Sequence, residues 1–121
     1  TSLTDVTGVQ TWALPISGLF TERENDVMAL RRGFAIQAGW RVLIAEDVVT
    51  TGKSTLETAA VIEAAGATVV GVGCVADRGE SNLPFPTFSS TKLTIQSWPA
   101  DACPLCGKGL PFVKPGTRKQ P

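Results

Sequence analysis

The hydrophobic positions of this chain fall into short apolar runs that predict a strand–helix–strand unit. Residues 42–45 (VLIA) and 68–75 (TVVGVGCV) are such runs and are rich in β-branched side chains, which is typical of strands buried in a parallel sheet. Between them, residues 54–65 carry an apolar stripe that predicts a helix, and Gly66 supplies its C-terminal stop. This order predicts a βαβ unit with parallel strands.

The flanking pattern predicts less regular structure. Residues 19–21 predict the end of a strand, and residues 24–29, which are polar with an Asn-Asp pair, predict a loop. Residues 92–97 predict a further strand, and the tail after it is rich in Pro, Gly and Cys. Glu57 lies three residues after Ser54, the spacing of a capping box at the start of the predicted helix.

Composition sets the bounds of the fold and of its function. A chain of 121 residues with 43% hydrophobic residues suffices for one compact domain. Its 11 basic and 11 acidic residues cancel, which argues against a nucleic-acid tract or a membrane surface. No apolar run approaches the roughly 18 residues of a membrane span, and no signal-peptide pattern opens the chain, so a cytoplasmic location is expected.

The first sixteen residues differ in character from the remainder of the chain. Residues 1–16 show no clear helical or strand period, and they resemble a translated sequencing adapter. We interpret residues 1–16 as a non-native or disordered segment and residues 17–121 as the folded domain.

The candidate chemistry lies where the first apolar strand ends. Glu46 and Asp47 come directly after residues 42–45, and ligands of open α/β sheets bind at the carboxyl ends of strands. Ionised carboxylates accept hydrogen bonds and suit a vicinal diol. Residues 50–54 (TTGKS) are small or flexible apart from Lys53, so their backbone N–H groups can surround a phosphate at the start of a helix. The pattern therefore indicates a ribose 5-phosphate ligand.

Two other interpretations compete with this one. Residues 52–55 (GKST) copy the end of the nucleotide P-loop, but Asp47 stands where that motif requires a glycine, and a carboxylate there would repel a triphosphate. The other alternative is a buried strand with two helix-capping acids at its end and without a binding role.

Residues 44–55 resemble the phosphoribosyl pyrophosphate (PRPP) motif of type I phosphoribosyltransferases. Further stretches match bacterial orotate phosphoribosyltransferases in the family's own order: residues 20–24 (FTERE), 30–34 (LRRGF), 76–79 (ADRG), 103–106 (CPLC) and 114–116 (KPG). The resemblance implies an α/β, Rossmann-like type I phosphoribosyltransferase fold with a central parallel sheet, incomplete at its N-terminus, with residues 17–121 as its C-terminal part.

The resemblance also implies a reaction and a set of site residues. Ribose 5-phosphate would pass from PRPP to orotate, giving orotidine 5′-monophosphate and pyrophosphate, with Mg²⁺ as the cofactor and no metal ligand from the protein. Glu46, Asp47 and Arg23 would be catalytic, and Thr50 and Arg78 would bind orotate. The residues implied to bind PRPP are Arg23, Glu46, Asp47, Val48, Val49, Thr50, Thr51, Gly52, Lys53 and Ser54.

The resemblance extends to properties of the whole protein. It implies a homodimer with shared active sites, and it predicts that the present chain, which lacks the family's hood and pyrophosphate loop, is inactive by itself. A purine phosphoribosyltransferase and a non-catalytic PRPP- or nucleotide-binding regulator on the same fold are the alternatives. The neutral charge balance argues against an RNA-binding regulator.

Cys103 and Cys106 form a CPLC motif that fits half of a zinc ribbon or a redox pair. With Cys74 as the third cysteine and no histidine, the chain does not supply four such ligands. A thioredoxin-like motif would open a helix, whereas prolines and glycines surround this one. We interpret the pair as reduced thiols, with metal binding across a dimer as the lesser alternative.

Overall fold

The computed structural model describes residues 16–111. Within them the structure places a hairpin, a parallel sheet and a helix, with a short 3₁₀ turn near the end. The elements are β1 (Thr21–Glu24), β2 (Val27–Leu30), β3 (Arg41–Val49), α1 (Lys53–Ala64), β4 (Thr68–Asp77), β5 (Thr87–Lys92) and the 3₁₀ turn Cys106–Lys108. β1 and β2 pair in antiparallel fashion, whereas β3, β4 and β5 form a parallel sheet in that order.

The predicted βαβ unit is confirmed as β3–α1–β4. Its core is formed by apolar side chains of the two strands and of the helix that crosses between them: Ile44, Val49, Ala59, Ile62, Ala67, Val69, Val72 and Cys74. The predicted helix stop is also confirmed, because Gly66 comes after α1 with a φ of +80°, a conformation that glycine adopts without strain. Burial of one helical stripe against two strands holds this unit together.

The start of α1 differs from the prediction. The helix begins at Lys53 after Gly52 as its N-cap, and Gly52 has no side chain to cap the first turn. The N–H of Lys53 instead donates to the hydroxyl of Thr51 at 3.4 Å. The predicted capping box of Ser54 and Glu57 is therefore wrong. The Glu57 carboxylate instead binds the guanidinium of Arg23, because the hairpin brings an opposite charge close to this face of the helix.

Three strand boundaries also differ. β3 continues to Val49, so Glu46 and Asp47 lie inside the strand rather than after it. Of the predicted loop at residues 24–29, only Asn25 and Asp26 form a turn, and the other residues belong to β1 and β2. Asn25 and Asp26 both have positive φ, as a type I′ hairpin turn requires. The predicted strand at residues 92–97 is wrong, since β5 ends at Lys92. Residues 87–92 pair with β4 instead, although they are less apolar than residues 92–97.

The parallel sheet is covered by α1 on one face and shows apolar side chains on the other. Successive side chains of a strand point to opposite faces, and Leu43, Val75 and Phe88 lie on the face away from the helix core. They are 60%, 63% and 70% exposed. Parallel sheets usually have both faces covered, whereas within residues 16–111 this face has no covering element.

No helix within residues 16–111 combines the length and the apolar character needed to cross a membrane.

Candidate functional site

The loops after β3 and β4 begin at the same edge of the parallel sheet. Val49 is paired with Asp77 at the ends of the two strands, and the backbone N–H of Arg78 donates to the carbonyl of Val49 at 2.9 Å. Residues 50–52 lead from β3 into α1, and residues 78–86 lead from β4 to β5. This carboxyl edge is where open α/β sheets bind ligands.

Glu46 and Asp47 are adjacent in sequence but differ in environment, because neighbouring residues of a strand face opposite sides. Glu46 is half-buried beside α1, where the Thr55 hydroxyl donates to its Oε1 at 3.3 Å. Asp47 is exposed, and its Oδ1 accepts the backbone N–H of Val48 at 2.7 Å. Burial raises the pKa of Glu46, the hydrogen bond from Thr55 opposes that rise, and the charge of Asp47 adds to it.

The loop between β3 and α1 has the geometry of an anion site. Gly52 adopts a φ of +79°, and the first helical hydrogen bond runs from the N–H of Leu56 to the Gly52 carbonyl at 2.9 Å. The first turn of α1 has no acidic residue, and the one side chain bonded to it is the Thr51 hydroxyl, which accepts from the N–H of Lys53 at 3.4 Å. The leading N–H groups of the helix therefore meet no competing carboxylate, and the helix dipole favours an anion at this end.

Gly52 also brings the two loops together. A Cβ atom at this position would lie 2.6 Å from Cδ2 of Leu83, a residue of the loop after β4 that packs on the core. A side chain at this position would therefore require the end of the Leu83 side chain to move. The loop that begins with Arg78 therefore packs directly on the anion-type loop, residues 50–52, between β3 and α1.

A cavity of about 530 Å³ opens over the start of α1. The hairpin turn borders it on one side through Arg23 and Asp26. The remaining lining comes from the end of β3, the loop and the first turn of α1: Val48, Val49, Thr50, Thr51, Gly52, Lys53, Ser54 and Thr55. The structure thus brings Arg23 together with most of the residues that the sequence implied for PRPP.

Arg23 is held at the rim of this cavity by the hairpin and the helix. Its Nη1 donates to the carbonyl of Asp26 at 2.9 Å, and its Nη2 binds the Glu57 carboxylate. A second link between hairpin and helix joins the hydroxyls of Thr21 and Thr58 at 3.1 Å. These contacts fix the position of the guanidinium beside the anion-type loop.

Arg78 carries a donor without an acceptor. Its side chain is 25% exposed, and its Nη2 lies 3.5 Å from the carboxylate of Glu80. Its Nε is buried and has no hydrogen-bond partner among residues 16–111. A buried N–H without a partner is unfavourable, so this donor is one of the polar groups of the edge that an acceptor would stabilise.

Three contributors were missed by the sequence-based prediction. Thr55 supports Glu46, Glu57 holds Arg23, and Leu83 packs on Gly52. The spacing of residues along α1 does not indicate this role of Glu57, because its partner Arg23 lies on the hairpin, far away in the sequence. Leu83 had no signal either, since it lies in a loop without periodicity.

A parallel sheet whose strands are joined by a crossing helix places the chain in the α/β class of proteins. Residues 9–104 match the model of the phosphoribosyl transferase domain, and the chain belongs to this family. The predicted fold class is thereby confirmed. The match begins inside residues 1–16. The interpretation of that segment stays a prediction, because residues 1–15 lie outside the described part of the chain.

Individual relatives refine the comparison. The chain is 48% identical, over 106 residues, to an orotate phosphoribosyltransferase from Caldanaerobacter subterraneus subsp. tengcongensis, a match that covers 86% of this chain and 56% of the relative. The chain therefore spans little more than half the length of that protein. Among solved structures, an adenine phosphoribosyltransferase from Rhodothermus marinus is similar, with 28% identity, a TM-score of 0.49 and coverage of 69% of this chain and 52% of that one.

Proposed function

We propose that the protein transfers ribose 5-phosphate from PRPP to N1 of orotate, giving orotidine 5′-monophosphate and pyrophosphate. The observation that supports this proposal is the shared carboxyl edge of β3 and β4, from which the anion-type loop and the loop that begins with Arg78 both lead. Glu46 and Asp47 lie in β3 just before this edge and are not among the residues that line the cavity. The identity to an orotate phosphoribosyltransferase supports orotate as the base.

The contacts to the ribose 5-phosphate part of PRPP are derived from the chemistry of each group. The loop from Thr50 to Ser54 holds the 5′-phosphate with its N–H groups and hydroxyls. Asp47 and Glu46 accept hydrogen bonds from the ribose hydroxyls, and the backbone of Val48 and Val49 joins these acids to the loop.

Arg23 faces the pyrophosphate side of PRPP in this proposal. Its position at the cavity rim, beside the anion-type loop, supports the assignment. A guanidinium can bind a phosphate group through two parallel hydrogen bonds. The contact with Glu57 holds the guanidinium in place before the ligand arrives.

The exposed Asp47 has the more direct access to the diol. Glu46 is half-buried and already accepts from Thr55, so it has fewer free lone pairs to offer. We infer that Asp47 is the principal ligand of the ribose and that Glu46 supports it from the helix side of the strand. Both carboxylates stabilise positive charge that develops on the anomeric carbon as pyrophosphate departs. No covalent nucleophile is needed.

Orotate contact is proposed for Arg78 and Thr50. The buried Nε of Arg78 and its neighbouring Nη2 form one edge of a guanidinium, which matches a planar carboxylate in bidentate fashion. The hydroxyl of Thr50, at the start of the loop, offers a donor to a ring oxygen.

Mg²⁺ fits this edge as an ion chelated by the phosphates of PRPP. Mg²⁺ prefers hard oxygen donors and commonly binds one or two carboxylates together with substrate phosphates. The exposed carboxylate of Asp47 is a hard oxygen donor close to this edge. When bound, the ion would neutralise charge on the departing pyrophosphate. A homodimer with shared sites and a cytoplasmic location complete the proposal.

The first experiment is a calorimetric titration of PRPP into the protein and into a Glu46→Ala/Asp47→Ala variant. We expect the double substitution to abolish binding while the fold persists, because neither carboxylate is part of the apolar core. Glu63→Ala, at an exposed acid of α1, is the matched control and should bind normally. Unchanged affinity in the double variant would overturn the ribose assignment.

The second experiment tests the base. Arg78→Ala should weaken orotate binding by about 1.5 to 3 kcal/mol, or roughly ten- to a hundredfold, while PRPP binding barely changes. Arg41→Ala is the control, since Arg41 is exposed at the opposite end of β3. Stronger binding of adenine than of orotate by the unsubstituted protein would overturn the proposed substrate.

A further inference from the structure

The segment from Cys103 to Leu110 folds into a compact knuckle of consecutive turns. The N–H of Gly107 donates to the Cys103 carbonyl at 3.0 Å, and the N–H of Lys108 donates to the Leu105 carbonyl at 3.1 Å. Gly109 then closes the knuckle with a φ of +70° and an N–H bond to the Cys106 carbonyl at 2.9 Å. The backbone thereby fixes the two cysteines on neighbouring turns.

The two thiols of the knuckle interact with each other. The backbone N–H of Cys106 lies 3.5 Å from Sγ of Cys103, and both cysteines are free. Hydrogen bonds from the backbone N–H and the thiol of Cys106 lower the pKa of Cys103. Because the Cys106 thiol donates to Cys103, the pKa of Cys106 is raised. An N–H directed at sulfur stabilises a thiolate, which is the form that binds metals.

Neither core packing nor disulfide-exchange chemistry accounts for this arrangement. Cys106 is exposed and Cys103 is partly exposed, so the pair does not fill the apolar core. Thiol–disulfide catalysts place the pair at the start of a helix, whereas here the pair leads into a 3₁₀ turn of three residues. The knuckle also lies at the end of the family match, which stops at residue 104.

We propose that Cys103 and Cys106 bind Zn²⁺ and that the same two cysteines of a second copy complete its coordination. Structural zinc takes four ligands in tetrahedral geometry. Among residues 16–111, no group of three metal-ligating side chains converges, and Cys74 is buried within β4. Four thiolates therefore require two knuckles, and a twofold axis through the ion supplies them as equivalent pairs. Each bound thiol releases its proton, and binding therefore weakens as the pH falls.

Titration with Co²⁺, as a spectroscopic substitute for Zn²⁺, tests the site on the full chain under reducing conditions and without PRPP. We expect thiolate-to-metal charge-transfer absorption that saturates at one ion per two chains and is displaced by Zn²⁺. Cys106→Ser and Cys103→Ser should each abolish the absorption. Cys74→Ala is the matched control and should leave it unchanged.

Sedimentation with and without Zn²⁺ tests the second copy. Zinc should double the sedimenting mass of the unsubstituted protein, and a chelator should reverse the change. The sedimenting mass of the Cys103→Ser/Cys106→Ser variant should not respond to zinc. Absence of the charge-transfer band, or its persistence in Cys106→Ser, would overturn the site. Saturation at one ion per chain without a change in size would overturn the shared coordination. These readouts do not depend on PRPP or orotate, so their failure is distinct from failure of the proposed function.

Discussion

At the scale of single residues, the acid pair shows how a strand gives neighbouring side chains different chemistry. Glu46 meets the hydroxyl of Thr55 beneath the helix, while Asp47 faces solvent. Thr55 is 1% exposed, and its hydroxyl has the Glu46 carboxylate as its acceptor. The protonation of the Glu46 carboxyl group is thus coupled to the packing of α1 on β3.

The first prediction concerns Thr55. Thr55→Val keeps the shape of the side chain but removes the donor to Glu46, and we expect the free energy of unfolding to fall by about 1 kcal/mol. PRPP affinity should fall as well, since Glu46 loses the group that orients it. Thr91→Val, at an exposed position of β5, is the control for chemical unfolding. Equal stability of the two variants would contradict this role of Thr55.

The second prediction concerns pH. Because burial raises the pKa of Glu46 above its unfolded value, the folded state binds this proton more tightly than the unfolded chain does. The associated stability is present below the unfolded pKa and is lost as the pH rises through the folded pKa. Glu46→Gln should therefore stabilise the protein relative to wild type most near neutral pH, and less in acid.

Thermal unfolding at several pH values, with Glu63→Gln as the control, measures this difference. Glu63 is exposed, so its substitution should give a change that varies little with pH. A Glu46→Gln effect that grows in acid would contradict the assigned sign.

At the scale of elements, the site depends on the contact between two loops and a helix. Gly52 ends the first loop in a left-handed conformation, and Leu83 of the second loop lies against it. A side chain at residue 52 would require the Leu83 side chain to shift. Backbone conformation and loop–loop packing therefore both favour glycine here.

The third prediction separates these two effects. Gly52→Ala should cost more stability than Gly39→Ala, because Gly39 has a similar φ of +83° but nothing within 4 Å of its Cβ position. The conformational cost, about 1 to 2 kcal/mol, applies to both variants. The clash with the Leu83 side chain applies to Gly52→Ala alone and should also lower PRPP affinity, because residue 52 lines the cavity. The double variant Gly52→Ala/Leu83→Ala should recover the affinity that this clash removes. Equal losses in stability for the two single variants would show that the Leu83 contact is unimportant.

At the scale of the whole molecule, one face of the parallel sheet carries apolar side chains that no other part of residues 16–111 covers. Leu43, Val75 and Phe88 lie on this face and are mostly exposed within the described part of the chain. Burial of these side chains against another surface would be favourable, so we expect this face to promote self-association.

The fourth prediction concerns this face. Leu43→Thr/Phe88→Thr should reduce concentration-dependent association in sedimentation without loss of the fold, because threonine is favourable in strands and neither residue belongs to the core. Ile95→Thr, at an exposed apolar residue outside the strands, is the control and should have little effect. Association that persists in the double variant would assign it to another surface.

Local pattern was sufficient for the central part of the molecule. Apolar runs, a helical stripe and Gly66 correctly predicted the β3–α1–β4 unit, and the order of acids, threonines and glycine predicted a phosphate-type loop between them. These features depend on neighbours within a few residues, where side-chain periodicity and backbone preference act directly. The strands of the hairpin were missed because residues 24–26 are polar and favour a loop, although the two strands pair locally. β5 was missed because its pairing with β4 overrode the local pattern.

The sequence by itself determined the family and the residues available at the carboxyl edge, since motif order and βαβ periodicity are local properties of the chain. Tertiary structure decided how those residues are used. It separated Glu46 from Asp47 through the helix contact of Thr55, joined Arg23 to Glu57, and left the Nε of Arg78 buried without a partner among the described residues. Each of these outcomes depends on contacts between segments far apart in sequence, and hydrogen bonding and burial are fixed only when those segments pack.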